Sequence, residues 1–287
     1  MNIVKWVETV AQVPSFSSHE ERLHPLLLKV AEKVPGATVE FVPFNNMIIT
    51  VPGTLDTKLI AVSAHLDKIN HFGIDRTDSL PISNVDGKLT GLLDDATGVG
   101  ILLALLEEIH NIPQRPTLLF LFSEMEESTG LKQAPHLLKN NGEGYYSGMG
   151  AERIAKHLIA TNRIPALVAT IDTTPLFKGE AGVALYSKHW EFNKIEPTEQ
   201  LLKNTTAVEE WFTKNYPEVL HRNNTNDYLM YGKILNTETP QAVVSIAIEP
   251  SIFPYHCAEE GVFERDIIAV SNILRALVQA NLSLRGA

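Results

Sequence analysis

Apolar positions along the chain change their period several times, and each change marks an element. Ile3, Val7, Val10 and Ala11 recur at helical spacing, Asn2 is placed to cap them, and Pro14 ends the run. Ser18 and Glu21 have the spacing of a capping box ahead of Leu23, Leu26, Leu27 and Val30, which predicts a second helix. Pro25 falls inside it, so that helix either kinks there or begins later. After Pro35-Gly36 the pattern becomes extended, with strands expected at 39–42 and 47–51 around a turn at Asn45-Asn46. Four later runs, at 59–64, 117–122, 167–171 and 242–248, are almost continuously apolar, as suits strands buried on both faces. Helical stretches follow at 98–110, where Val99, Leu102, Leu103 and Leu106 form a stripe, and at 151–160, roughly 206–214 and 266–280.

Strands alternating with helices predict an α/β fold. The expected form is a three-layer αβα arrangement with a central mixed, mostly parallel sheet covered by helices on both faces. Neither an internal repeat nor a linker composition divides the sequence, so residues 1–287 are expected to form one domain. The polar, Gly-rich stretch 139–150 reads as a surface loop, with a lid over a site as the sharper alternative.

Composition changes this picture little: 44% apolar and 20% charged is ordinary for a globular chain. The net charge of −10 argues against nucleic acid or an anionic membrane as partner, and it suits a protein whose carboxylates hold metal. A lone cysteine, Cys257, excludes an internal disulfide framework. The first residues carry acid within a helical pattern, unlike a signal peptide, and no apolar run approaches the ~20 residues that span a bilayer. A soluble, cytoplasmic protein is expected.

The polar residues behind the buried strands carry the chemistry. The run 59–64 leads into His65-Leu66-Asp67, 117–122 into Glu126-Glu127, 167–171 into Asp172, and 242–248, a loop later, into His256. Ligands of open α/β sheets sit outside the carboxyl ends of the strands, so imidazoles and carboxylates converge on one edge. Asp94-Asp95, just before a helix, can reach it too. Such a set, without cysteine, suits Zn²⁺ and, less well, Co²⁺ or Mn²⁺. Singly, each piece has a bland reading: His-x-Asp arises by chance, Asp94-Asp95 is an N-cap, Glu126-Glu127 a solvated turn, Asp172 a turn residue and His256 a loop histidine. The joint pattern favours chemistry.

His65-Leu66-Asp67, Gly91-Leu92-Leu93-Asp94-Asp95-Ala96-Thr97-Gly98, Glu126-Glu127, Asp172 and Tyr255-His256 together resemble the ligand series of the co-catalytic zinc aminopeptidases. The short gap from His65 to Asp94 is similar to the bacterial leucyl-aminopeptidase branch. Ser15-Phe16-Ser17-Ser18-His19-Glu20 and Tyr255-His256-Cys257-Ala258-Glu259-Glu260, with Arg265-Asp266-Ile267, are closer to the glutamyl-aminopeptidase (cellulase-like) branch. Three departures stand out: Glu126-Glu127-Ser128-Thr129-Gly130-Leu131 has one residue more than the usual Glu-Glu-x-Gly-Leu, Cys257 replaces a common Ser or Thr, and the stretch 127–172 is long.

The resemblance implies a single zinc-peptidase domain, without an inserted dimerisation domain, that binds two divalent ions. It makes Asp94 the bridge, with His65 and Asp172 on one ion and Glu127 and His256 on the other. Asp67 would orient the His65 ring, Asp95 would support the bridge across a cis peptide, and Glu126 would be the general base. Thr225-Asn226-Asp227 is similar to a Gly/Ser-Asp segment that lines the family's substrate pocket. The implied activity is removal of N-terminal residues from peptides with a free N-terminus, by a chain that could form homo-oligomers. Dipeptidase, carboxypeptidase and N-acyl amino acid deacylase chemistry are the alternatives within the superfamily. A non-catalytic binding module is disfavoured because every ligand position is filled. A two-metal phosphoesterase is disfavoured because the ligand order differs and there is no basic cluster for a phosphate.

Overall fold

The computed structural model describes residues 2–55, 59–127, 132, 134–280 and 282–284. Its strands are β1 (Thr38–Val42), β2 (Asn46–Val51), β3 (Ile60–His65), β4 (Ser83–Val85), β5 (Lys88–Gly91), β6 (Leu118–Ser123), β7 (Leu167–Ile171), β8 (Val183–Tyr186), β9 (Leu220–Arg222), β10 (Val244–Pro250) and β11 (Glu260–Phe263). Eight form one sheet in the order β1-β2-β6-β3-β7-β10-β8-β9, and β11-β5-β4 form a second, antiparallel one. Within the large sheet the run β6-β3-β7-β10 is parallel, while β1, β2 and β8 join antiparallel. Four parallel strands thus end at one edge. All residues of β3, β6, β7 and β10 are buried, as their unbroken apolar character requires.

The described helices are α1 (Ile3–Ala11), α2 (His24–Ala31), α3 (Ala96–Glu107), α4 (Met149–Ala160), α5 (His189–Asn193), α6 (Glu199–Asn215), α7 (Asp227–Thr237) and α8 (Glu264–Gln279). Side chains alternate across the sheet. Leu118, Phe120 and Phe122 pack into a core shared with α1, α2, α3 and α8, while Leu119 and Leu121 pack into a second core with α4 and α7. The result is the three-layer arrangement expected from the sequence. Helix α3 is buried from Ala96 to Leu106, because it lies between the sheet and α1, α2 and α8. A Cβ at Gly100 would stand 2.7 Å from the backbone of Val7, so α1 and α3 touch through a residue without a side chain.

One local expectation is corrected. Ser18 does not open the second helix with a capping box. Its φ is 69° and its Oγ accepts the Lys139 N–H at 3.0 Å, while a 3₁₀ turn over Glu20–Leu23 leads into α2. Pro25 then sits in the first turn of α2, where its missing N–H has no acceptor to lose. The last apolar run begins at Val244 and extends to Pro250, which brings Glu249 into a buried strand.

Candidate metal centre

Each proposed ligand reaches the edge on a different element. His65 is the last residue of β3, Asp172 follows β7, Glu127 lies four residues past β6, and His256 stands in the loop between β10 and β11. Asp94 arrives on the turn that precedes α3. The Asp94-Asp95 peptide is cis, and Asp95 caps α3 by accepting the Gly98 N–H at 2.7 Å.

These side chains form two trios, His65–Asp94–Asp172 and Asp94–Glu127–His256, each with potential ligand atoms within 4.8 Å of one another. Asp94 belongs to both and divides its oxygens between them. Its Oδ1 lies 3.2 Å from His65 Nε2, and its Oδ2 lies 3.6 Å from His256 Nε2. Asp172 Oδ1 is 3.7 Å from His65 Nε2, and Glu127 Oε2 is 3.5 Å from His256 Nε2. Glu127 Oε1 and Asp95 Oδ2 are buried with no hydrogen-bond partner among the described residues. Two imidazoles and three carboxylates facing one another, with a donorless oxygen among them, fit divalent cations better than they fit one another.

Electrostatics says the same. Burial, then the charges of Asp94 and Glu126, pushes the Glu127 carboxyl well above its ordinary range. Burial and Asp94 push Asp172 up to about 6. Asp94 alone is held well below that range: burial opposes ionisation, but His256 and His65 on either side outweigh it.

Two other acids hold the loops in place. Asp67, 0% exposed, accepts from the Glu126 N–H at 2.9 Å, the Glu127 N–H at 3.2 Å and Ser17 Oγ at 2.8 Å. The expected contact with His65 is made differently from an extended-strand alternation, because β3 stops at His65. The ring Nδ1 meets the Asp67 backbone carbonyl at 3.0 Å and its carboxylate only at 3.4 Å. Glu260, on β11, accepts from the N–H groups of Leu93 and Asp94 at 2.8 and 3.0 Å and from that of His256 at 3.1 Å. It thereby clamps two ligand loops to the small sheet. The sequence shows no role for it beyond its place at the end of the Tyr255–Glu260 stretch that resembles the glutamyl-aminopeptidase branch.

Behind these loops Glu124, 0% exposed, accepts from Phe44 N–H, Asn45 N–H and Asn46 Nδ2 and pairs with Arg153. The 139–150 stretch runs along the same loop, with Ser147 Oγ donating to the Glu126 carbonyl and the Gly148 N–H to that of Met125. Ser128, Thr129, Gly130 and Leu131, where the motif departs from the family pattern, lie outside the described residues.

A cavity of about 310 Å³ opens beside the second trio. Glu126, Glu127 and His256 line it together with Gly148, Asp227 and Tyr255, whose ring stacks on that of His256. Glu126 is half-buried there, and enclosure pushes its carboxyl well up, with Asp172, Asp227 and Asp94 adding to the shift and His65 opposing it. All the sequence-derived candidates therefore meet around one centre, with Asp227 on the cavity wall rather than within either trio.

Residues 46–169 match the model of Peptidase family M28. No curated protein sequence matches the chain. Among solved structures, an aminopeptidase from the archaeon Desulfurococcus kamchatkensis is similar with a TM-score of 0.68 and 13% identity, covering 99% of this chain and 98% of that one. Pyrococcus horikoshii TET1 peptidase is similar at 0.66 and 15%, covering 96% and 99%. Aminopeptidase PepT from Bacillus cereus is similar at 0.66 and 12%, covering 98% of each chain. The M28 match thus runs from β2 into β7, and the whole chain shares its fold with these solved peptidases.

Proposed function

We propose that the chain is an aminopeptidase that works with two divalent metal ions, zinc in the first place, held by His65, Asp94 and Asp172 and by Asp94, Glu127 and His256. The observation that carries this reading is Asp94, whose two oxygens each face a different imidazole and a different trio. Bound ions would polarise the scissile carbonyl and ease deprotonation of a water at neutral pH. Glu126, on the cavity wall beside Glu127, takes the proton from the attacking water and returns it to the leaving amine. Asp67 holds Glu126 and Glu127 in register through their N–H groups. Asp95 supports the bridge by fixing the start of α3.

The full-length likeness to proteins named as aminopeptidases supports this activity over a dipeptidase, carboxypeptidase or deacylase. The proposal includes a single catalytic domain, with 139–150 serving as a lid, and a cytoplasmic setting; among the described residues no helix is long and apolar enough to cross a membrane. It also includes self-association, since the P. horikoshii relative assembles into a tetrahedron or an octahedral shell. Chelation followed by titration with zinc tests the core of it. Peptide hydrolysis should vanish and return as two equivalents of metal bind. Full activity at one equivalent, or none at two, would contradict it.

A further inference from the structure

One buried cation has no part in the metal trios or the cavity beside them. Lys68, 1% exposed, is the only lysine or arginine among the buried described residues. It follows Asp67 on the turn after β3 and reaches back to the end of α1. Its Nζ donates to the Val10 carbonyl at 3.1 Å, the Val13 carbonyl at 2.9 Å and Ser15 Oγ at 2.8 Å. The backbone continues the tie, with the Lys68 N–H donating to the Ser15 carbonyl at 2.9 Å and the Lys68 carbonyl accepting the Ser17 N–H at 3.2 Å. Ser17 Oγ in turn donates to Asp67, the acid that holds the N–H groups of Glu126 and Glu127. A short ladder therefore joins the chain leaving α1 to the loop that carries Glu126 and Glu127.

Burial pulls the Lys68 ammonium down to about 7, and the charges of Asp95, Asp67 and Glu260 pull against it. None of these three acids belongs to a trio, yet each holds a ligand loop. Asp95 caps α3 next to Asp94, Asp67 holds the Glu126-Glu127 turn, and Glu260 accepts from the N–H groups of Asp94 and His256. Bound ions are matched by the carboxylates of Asp94, Asp172 and Glu127, which leaves the supporting acids in need of a charge of their own. A buried carboxylate without one is unfavourable, and Asp95 Oδ2 lacks even a hydrogen-bond partner among the described residues.

We infer that Lys68 is a positioning residue of the metal centre: its ammonium is the counter-charge of Asp95, Asp67 and Glu260, and it fastens residues 10–17 behind the Glu126-Glu127 turn. The assignment rests on the two-metal reading above. Lys68 is not among the residues that line the cavity, so it acts on the ions and on Glu126 only through these acids.

Zinc affinity of wild type, Lys68→Met and Ser15→Ala is read by competition with a chelator at about pH 6.5, below the value at which Lys68 gives up its proton. Urea midpoints are taken on the same proteins without metal. Lys68→Met should bind zinc about 10- to 100-fold more weakly, the usual worth of a partner that orients ligands. Ser15→Ala leaves the lysine and two of its acceptors, so its affinity should fall by a smaller factor; it decides the matter if Lys68→Met does not fold. A lysine that merely repelled the ions predicts the opposite, tighter binding once it is removed. A merely structural brace predicts a lower urea midpoint with zinc affinity unmoved. Either result would overturn the assignment.

Asp95→Asn tests the charge itself, because it keeps the oxygen that caps α3. It should weaken zinc binding in wild type and cost less in Lys68→Met, where its partner is already gone; additive losses would count against a counter-charge. All of these are binding measurements. Wild type that holds two zinc ions and releases no N-terminal residue would refute the aminopeptidase reading alone, and wild type that holds none would refute both.

Discussion

Asp94 and Asp67 each divide two carboxylate oxygens between separate tasks, one between two imidazoles and the other between the Glu126 N–H on one side and the Glu127 N–H and Ser17 hydroxyl on the other. The difference predicts different failures. Glu126→Gln leaves both trios untouched and should keep metal content while lowering kcat by about 10²–10⁴-fold, the usual worth of a positioned proton carrier. Elemental analysis alongside steady-state kinetics checks this, and wild-type turnover at normal metal content would remove Glu126 from the chemistry. Asp67→Asn places an NH₂ group against a backbone or hydroxyl donor. Metal affinity should fall about 10- to 100-fold, read by competition with a chelator. Four of the proposed ligands were legible in the sequence because each stands at or beyond the end of a buried strand, where a charged side chain has little other reason to be; Asp94 was placed by its position before a helix and by the resemblance. Glu260, Glu124 and Glu249 were not, because what each does depends on loops that meet it from far along the chain.

At the scale of elements, the centre depends on how closely α4 and the Glu126 loop approach. A Cβ at Gly150, in the first turn of α4, would stand 2.2 Å from the backbone oxygen of Glu124, which begins that loop. Gly150→Ala therefore has to move backbone and not merely a flexible side chain. It should destabilise the fold by about 1–3 kcal/mol and shift Glu126 and Glu127 together. The expected outcome is a lower urea midpoint with activity lost beyond what the unfolded fraction explains; unchanged activity in folded protein would show that the loop is positioned otherwise. The central strands were readable because burial on both faces leaves an unbroken apolar run. Helix α7 was not, since its first turn follows an Asn-rich stretch that resembles an ordinary loop, and only the Asn226 cap marks its start. The short strands β4, β5 and β11 gave too few residues for a period to show.

For the whole molecule, a histidine remote from both trios gives stability a pH dependence that metal chemistry does not supply. His189, 0% exposed and packed against Gly232, has no partner for Nδ1 among the described residues, and burial lowers its pKa from 6.5 to about 4. Between those values the unfolded chain binds a proton that the folded chain refuses. Stability is therefore whole above 6.5 and is lost as pH falls toward 4, by about 2 kcal/mol at pH 5 for this group. His189→Gln should flatten that part of the profile in urea unfolding of metal-free protein between pH 7 and 5. Parallel curves for the two proteins would show that His189 protonates without hindrance in the fold.

Asp94, Asp172 and Glu127 crowd one sheet edge with Glu126 and Asp227 beside them, and this concentration of acid makes sense if cations complete the site. The most direct test gives the zinc-loaded protein short peptides with free and with acetylated N-termini, with and without a chelator. The prediction is release of the first residue from the free peptides alone, abolished by the chelator. Equal cleavage of the acetylated set, or hydrolysis that survives metal removal, would contradict it.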